Sequence, residues 1–128
     1  MTLAFIGEVE DPISFTKIRD EISFTPFTMT LSYLSYFPDR KNSKLYWLGI
    51  DPCEEVIDLQ KRLTDLLKVN HLPFHDKPFL PHISLSRKTL RDSPLIIDDL
   101  LPITVKIDTL YLMESIPYKN TRIGIPIK

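Results

Sequence analysis

From Phe27 the chain alternates with a period of two, and no other stretch constrains the fold as strongly. Phe27, Met29, Leu31 and Tyr33 fall on one side and Thr28, Thr30 and Ser32 on the other, the pattern of a half-buried strand. At Leu34 and Tyr36 the apolar phase moves by one residue, which a β-bulge explains. A polar loop, P-D-R-K-N-S, leads into the apolar run K-L-Y-W-L-G-I over residues 44–50. Two neighbouring antiparallel strands are expected, and the elements around them decide the class.

Those elements are few. The mostly apolar run T-L-A-F-I at residues 2–6, closed by Gly7, predicts a buried strand. Asp11 as N-cap and Pro12 at N1, with Phe15, Ile18 and Ile22 at helical spacing, predict a short helix to about Ile22. Asp51, Pro52 and Glu54 repeat that start signal, and Val56, Leu59, Leu63, Leu66 and Leu67 form an apolar stripe of about three turns. H-L-P-F-H-D-K-P-F-L-P, with its three prolines, is an extended loop. It delivers the chain into a strand at H-I-S-L-S-R, residues 82–87. Ile103, Val105 and Ile107 alternate with polar residues, and the run continues through Leu110 and Leu112 as one long, bulged strand. A turn at P-Y-K-N-T precedes a last strand with Ile123, Ile125 and Ile127. Helices do not alternate regularly with strands, so the expected class is α+β, with antiparallel sheets and flanking helices. Without repeat, low-complexity tract or linker, residues 1–128 read as a single domain.

Composition narrows the chemistry. Sixteen Lys and Arg against 17 Asp and Glu leave a formal net charge of −1, so no bulk field draws in a polyanion, although a local basic site would leave that total unchanged. Eleven prolines and three glycines exclude glycine-rich phosphate loops of the G-x-G-x-x-G or Walker kind. The lone Cys53 cannot close an intramolecular disulfide, and no basic leader or apolar run of about 18 residues occurs. A cytoplasmic setting without membrane association is expected.

His82 and Ser84 are two apart on an expected strand, so both side chains leave one face while Ile83 leaves the other. A hydroxyl can donate to a nonbridging phosphate oxygen while an imidazole moves a proton to or from water or a leaving oxygen. Arg87, suited to phosphate by its planar guanidinium, reaches the same face only if the strand ends or bulges after Leu85. Taken alone, H-x-S more often marks a structural or solvated histidine. His71 and His75 are four apart, but Pro73 between them argues against a metal site. Tyr33, Tyr36, Phe37, Tyr46 and Trp47 could stack bases; aromatic residues at strand spacing are more often core. Arg40, Lys41 and Lys44 read as a solvated hairpin loop.

P-H-I-S-L-S-R, residues 81–87, resembles the second motif of the two-histidine phosphoesterases, in the LigT-like branch of 2′-5′ RNA ligases and RNA 2′,3′-cyclic phosphodiesterases. The opening T-L-A-F-I-G-E-V, residues 2–9, resembles the continuation of that branch's first motif, H-x-T-L-x-F-L-G-E-V. K-L-Y-W-L-G-I resembles the strand before the family's long helix, and L-Y-L-M-E-S, residues 110–115, its penultimate strand. In that alignment Met1 takes the variable position of the first motif. The first catalytic histidine would precede the chain, together with a strand and a helix, so an N-terminally truncated member is expected.

The resemblance implies a two-lobed fold with a cleft. One histidine acts as general base on water and the other as general acid on the leaving 2′ or 3′ oxygen, with no metal and no cofactor. Carried over by position, His82 is catalytic, and Thr2, Ser84 and Arg87 hold the substrate phosphate. The implied partner is an RNA 3′ end bearing a 2′,3′-cyclic phosphate, or a small cyclic nucleotide. With one histidine of the pair, the chain is expected to be weak or inactive, and a module that binds RNA ends or nucleotides without turnover is the alternative. An uncovered sheet edge would favour self-association.

Overall fold

The structure, a computed structural model, describes residues 1–38, 44–86 and 99–128. In chain order it comprises α1 (Ile13–Glu21), β1 (Phe27–Pro38), β2 (Lys44–Ile50), α2 (Glu54–Val69), β3 (His82–Ser86), β4 (Ile103–Ile107), β5 (Met113–Tyr118) and β6 (Thr121–Pro126). The first sheet has the order β3-β2-β1-β4 and the second is the β5-β6 hairpin. Every pairing is antiparallel, so the α+β expectation holds.

β1 organises the large sheet. Its first part, residues 27–31, pairs with β4, and residues 31–38 pair with β2. Leu31 opposes Ile50 and Tyr33 opposes Gly49, which leaves Ser32 as the extra residue of a bulge. This is the irregularity that the phase shift in the sequence predicts. Before the bulge Met29 and Leu31 enter a core with Leu48, against which Ile83, Ile103 and Val105 pack. After it Leu34 joins that core, and Tyr33, Ser35 and Phe37 are turned to the other face of the sheet.

A second core forms where the helices meet. Phe15 and Ile18 of α1 and Leu67 of α2 are buried together, with Leu63 and Leu66 packed against them. Burying a leucine as fully as Leu67, 2% exposed, contributes about 1.5–3 kcal/mol. Helix α1 starts one residue later than expected, with Pro12 and not Asp11 at its N-cap, and the Asp11 carboxylate accepts from the Ile13 backbone N–H at 3.0 Å.

Three further expectations are corrected. Residues 2–6 form no strand: Ala4 and Ile6 pack into the helical core while the backbone is held by unlike partners, Phe5 O by the His75 N–H at 2.8 Å and Leu3 O by the Gln60 amide at 3.5 Å. Helix α2 starts at Glu54, with Cys53 and not Asp51 at its N-cap, because the Asp51 N–H is engaged by Thr30 O at 2.9 Å and prolongs the sheet. Glu54 and Glu55 in the first turn complement the helix dipole instead. The expected long strand from Ile103 to Leu112 breaks after Ile107, and Leu112 packs against the helical core. The expected last strand is present as β6, where Ile123 and Ile125 are 37% and 38% exposed. Among the described residues, β5 and β6 pair only with each other.

Candidate active site

Sheet register decides what surrounds His82. On β3, His82 opposes Gly49 and Ser84 opposes Trp47, with Ile83 opposite Leu48 on the core side. Across β2, Gly49 in turn opposes Tyr33 and Trp47 opposes Ser35. One face of three strands therefore carries Tyr33, Gly49 and His82 in one row and Ser35, Trp47 and Ser84 in the next. The spacing of His82 and Ser84 does bring both to one face.

That face is floored by aromatic rings. Trp47 is buried beneath its neighbours: its ring stacks on Phe37 at 5.1 Å and meets Tyr33 and His82 edge-on, each at 5.7 Å. Phe37 also approaches the His82 ring edge-on at 5.8 Å. These offset and T-shaped contacts are the geometries aromatic quadrupoles favour. Tyr33 and Phe37 remain exposed, as does Tyr36 on the opposite side, where the Lys44 ammonium lies 4.3 Å above its ring. The reading of these aromatic residues as core thus fails for Tyr33, Tyr36 and Phe37, whereas Trp47 is buried and Tyr46 half-buried. The signal for this was present in the sequence as the phase shift at Leu34, which reverses the faces of everything that follows.

The His82 imidazole is held from behind. Its Nδ1 lies 2.6 Å from the Leu80 carbonyl oxygen. A carbonyl can only accept, so Nδ1 carries the proton and Nε2 is left to exchange protons with a ligand. Pro81 between the two residues disfavours helical backbone at Leu80 and keeps the approach to β3 extended.

Thr2 belongs to no strand. It lines a cavity of about 410 Å³ with Gln60, His75, Lys77, Phe79 and Leu80. Leu80 is thus shared: its carbonyl holds His82 and its residue closes the cavity that Thr2 borders. His75, read from sequence as part of a bland loop, ties this region together, its ring edge-on to Phe5 at 4.8 Å and its Nε2 against Gly7, which takes a positive φ of 89°. Arg87 lies outside the described residues, as do Arg40 and Lys41. The register of β3 slips at Leu85, between the pairs Trp47–Ser84 and Tyr46–Ser86. Among the described residues no group of three or more His, Cys, Asp or Glu side chains converges on a metal position. None of the described helices is long and apolar enough to cross a membrane.

The sequence pattern of the 2′-5′ RNA ligase superfamily matches residues 1–116. This chain belongs to that superfamily. Among relatives of this 2′-5′ RNA ligase superfamily member, an RNA 2′,3′-cyclic phosphodiesterase of Thermotoga maritima is 29% identical over 124 residues, covering 90% of the chain and 65% of the relative. One from Archaeoglobus fulgidus is 30% identical over 101 residues, covering 77% and 56%, and one from Aquifex aeolicus is 30% identical over 93, covering 68% and 50%. The superfamily member thus spans between 50% and 65% of the length of these three relatives. No solved structure matches it significantly.

Proposed function

We propose that the chain acts on RNA 3′ ends or small nucleotides bearing a 2′,3′-cyclic phosphate, as an RNA 2′,3′-cyclic phosphodiesterase or 2′-5′ RNA ligase-like phosphoesterase. The observation that carries this reading is the orientation of His82, whose Nδ1 is tied to Leu80 O so that Nε2 is presented on the face of Ser84. Opening a cyclic phosphate requires water to attack phosphorus while the P–O2′ or P–O3′ bond breaks. One group takes a proton from the water and another returns one to the departing oxygen. In this reading Nε2 of His82 performs one of these transfers. The Ser84 hydroxyl and the Arg87 guanidinium hold nonbridging oxygens, and Thr2 meets the phosphate from the cavity side.

A second reading, an RNA-end or nucleotide-binding module without turnover, is favoured by one observation. Among the described residues, His82 is the one imidazole on this sheet face, and acid/base catalysis of this kind uses two groups.

The test is hydrolysis of adenosine 2′,3′-cyclic phosphate followed by phosphorus NMR, with binding measured by calorimetry in parallel. The phosphoesterase reading expects turnover that falls by about 10²- to 10⁴-fold in His82→Ala. Binding without turnover, weakened by Ser84→Ala, establishes the module instead. Turnover or binding indifferent to both substitutions overturns the assignment of this face.

A further inference from the structure

Gly49 lies between two residues that project onto the same face, Tyr33 on β1 and His82 on β3. A Cβ built on Gly49 would fall 2.0 Å from Cζ of Tyr33 and 2.4 Å from both of its Cε atoms. The equal distances place the ring flat on the glycine backbone, with Cζ directly over Gly49. Since Tyr33 itself stands opposite Gly49 on the neighbouring strand, its side chain runs across β2. The hydroxyl, one bond past Cζ, is therefore carried beyond Gly49 towards the strand of His82.

Two local features are needed for this arrangement, and both are present. The bulge at Ser32 turns Tyr33 off the core face, and glycine at position 49 removes the side chain that would otherwise hold the ring away. A phenylalanine would fill the glycine seat as well. Yet Tyr33 is 44% exposed, and among the described residues no hydrogen-bond partner meets its hydroxyl. A phenol hydroxyl is both donor and acceptor, and here it is delivered to the row of His82, one row from the Ser84 hydroxyl.

We propose that Tyr33 is a further substrate-contacting residue, whose hydroxyl donates to a nonbridging oxygen of the phosphate held beside His82 and Ser84. The ligand class is a nucleoside phosphate monoester or cyclic diester, recognised at its phosphate. This rests on the reading of the His82–Ser84 face as a phosphate site, and the experiment separates the two.

The chain, Tyr33→Phe and Ser84→Ala are titrated by amide NMR with adenosine 2′,3′-cyclic phosphate and with adenosine as the phosphate-free control. A hydrogen bond to a charged oxygen predicts about tenfold weaker binding of the cyclic nucleotide in Tyr33→Phe. Adenosine binding and the Gly49 amide shift stay unchanged, because the ring remains in its seat. Unchanged affinity in Tyr33→Phe, with affinity lost in Ser84→Ala, overturns the Tyr33 proposal and leaves the phosphate site standing. Equal weakening for adenosine and the cyclic nucleotide also overturns it, since the ring would then act on the base. Failure of the unsubstituted chain to prefer the cyclic nucleotide overturns both readings.

Discussion

Nδ1 of His82 stands 2.6 Å from the carbonyl oxygen of Leu80, two residues earlier in the same chain. The contact is local, so it forms with the strand itself and does not wait for a distant partner. It assigns a direction to the imidazole: one nitrogen faces the protein and the other the ligand side. Neutral His82 should therefore populate the Nδ1–H tautomer. Long-range proton–nitrogen correlation spectra of the labelled protein check this, with the protonated-type nitrogen signal at Nδ1 and the lone-pair signal at Nε2. The reverse pattern would remove the orientation on which proton transfer from Nε2 depends.

Gly49 and Tyr33 compete for one volume, which makes their energetics non-additive. Gly49→Ala puts a methyl group into the Tyr33 ring and should destabilise the protein by about 1–3 kcal/mol, the usual cost of overpacking. In a Tyr33→Ala background the same substitution should cost markedly less. Urea unfolding of the four proteins in the cycle reads the coupling, expected at about 0.5–3 kcal/mol. Additive effects would mean that the ring does not occupy the glycine seat.

Trp47 is buried, and its indole N–H has no hydrogen-bond partner among the described residues. A buried donor without a partner costs about 1–3 kcal/mol. Trp47→Phe deletes that donor while keeping an aromatic plate for Phe37, Tyr33 and His82, so the lost area and the removed penalty offset each other. The expected change in unfolding free energy is under about 1.5 kcal/mol, against about 3–5 for Trp47→Ala. Equal losses for both would indicate that the indole nitrogen is satisfied in solution.

Strands β5 and β6 pair with one another alone, and most of their residues are exposed. A lone two-stranded hairpin is marginal in water. Its described attachments are at the far end, where the Ile127 N–H donates to Leu112 O at 2.8 Å and the Arg19 guanidinium donates to Ile127 O. Amide hydrogen exchange should show residues 113–126 opening well before β1 and β2, at a free energy clearly below that of global unfolding. Matching protection in the two sheets would mean that the hairpin is covered in solution.

Much of this arrangement was legible in the residues, and the failures have identifiable physical causes. Periodicity located β1, β2, α2 and β4 because in each of them the apolar side meets a core. The phase shift at Leu34 announced the bulge, and the two-residue spacing of His82 and Ser84 announced their common face. What periodicity cannot report is whether a face will find a partner. Thr2 to Ile6 read as a strand, yet the Gln60 side chain of α2 and the His75 backbone of the loop after it took its backbone bonds; Ile123 and Ile125 alternate, yet both are exposed. Nor could the sequence couple Tyr33 to Gly49, which are 16 positions apart in the numbering and meet only through the register of a bulged ladder. The aromatic residues around His82 were visible as candidates. Weighing them as core went wrong because the bulge, not their composition, decides which side they occupy.

The extra residue at Ser32 has an evolutionary side. Because the bulge absorbs Ser32, a lineage that lost this one codon would run from Leu31 to Tyr33 in regular alternation, with Tyr33, Ser35 and Phe37 still outward and Leu34 still inward. Keeping the residue while flattening the bulge would instead carry Tyr33 inward and Leu34 outward. Single-residue gaps should therefore be tolerated at Ser32 itself, whereas a gap within residues 33–37 exchanges interior for exterior and should be absent from lineages that keep the site.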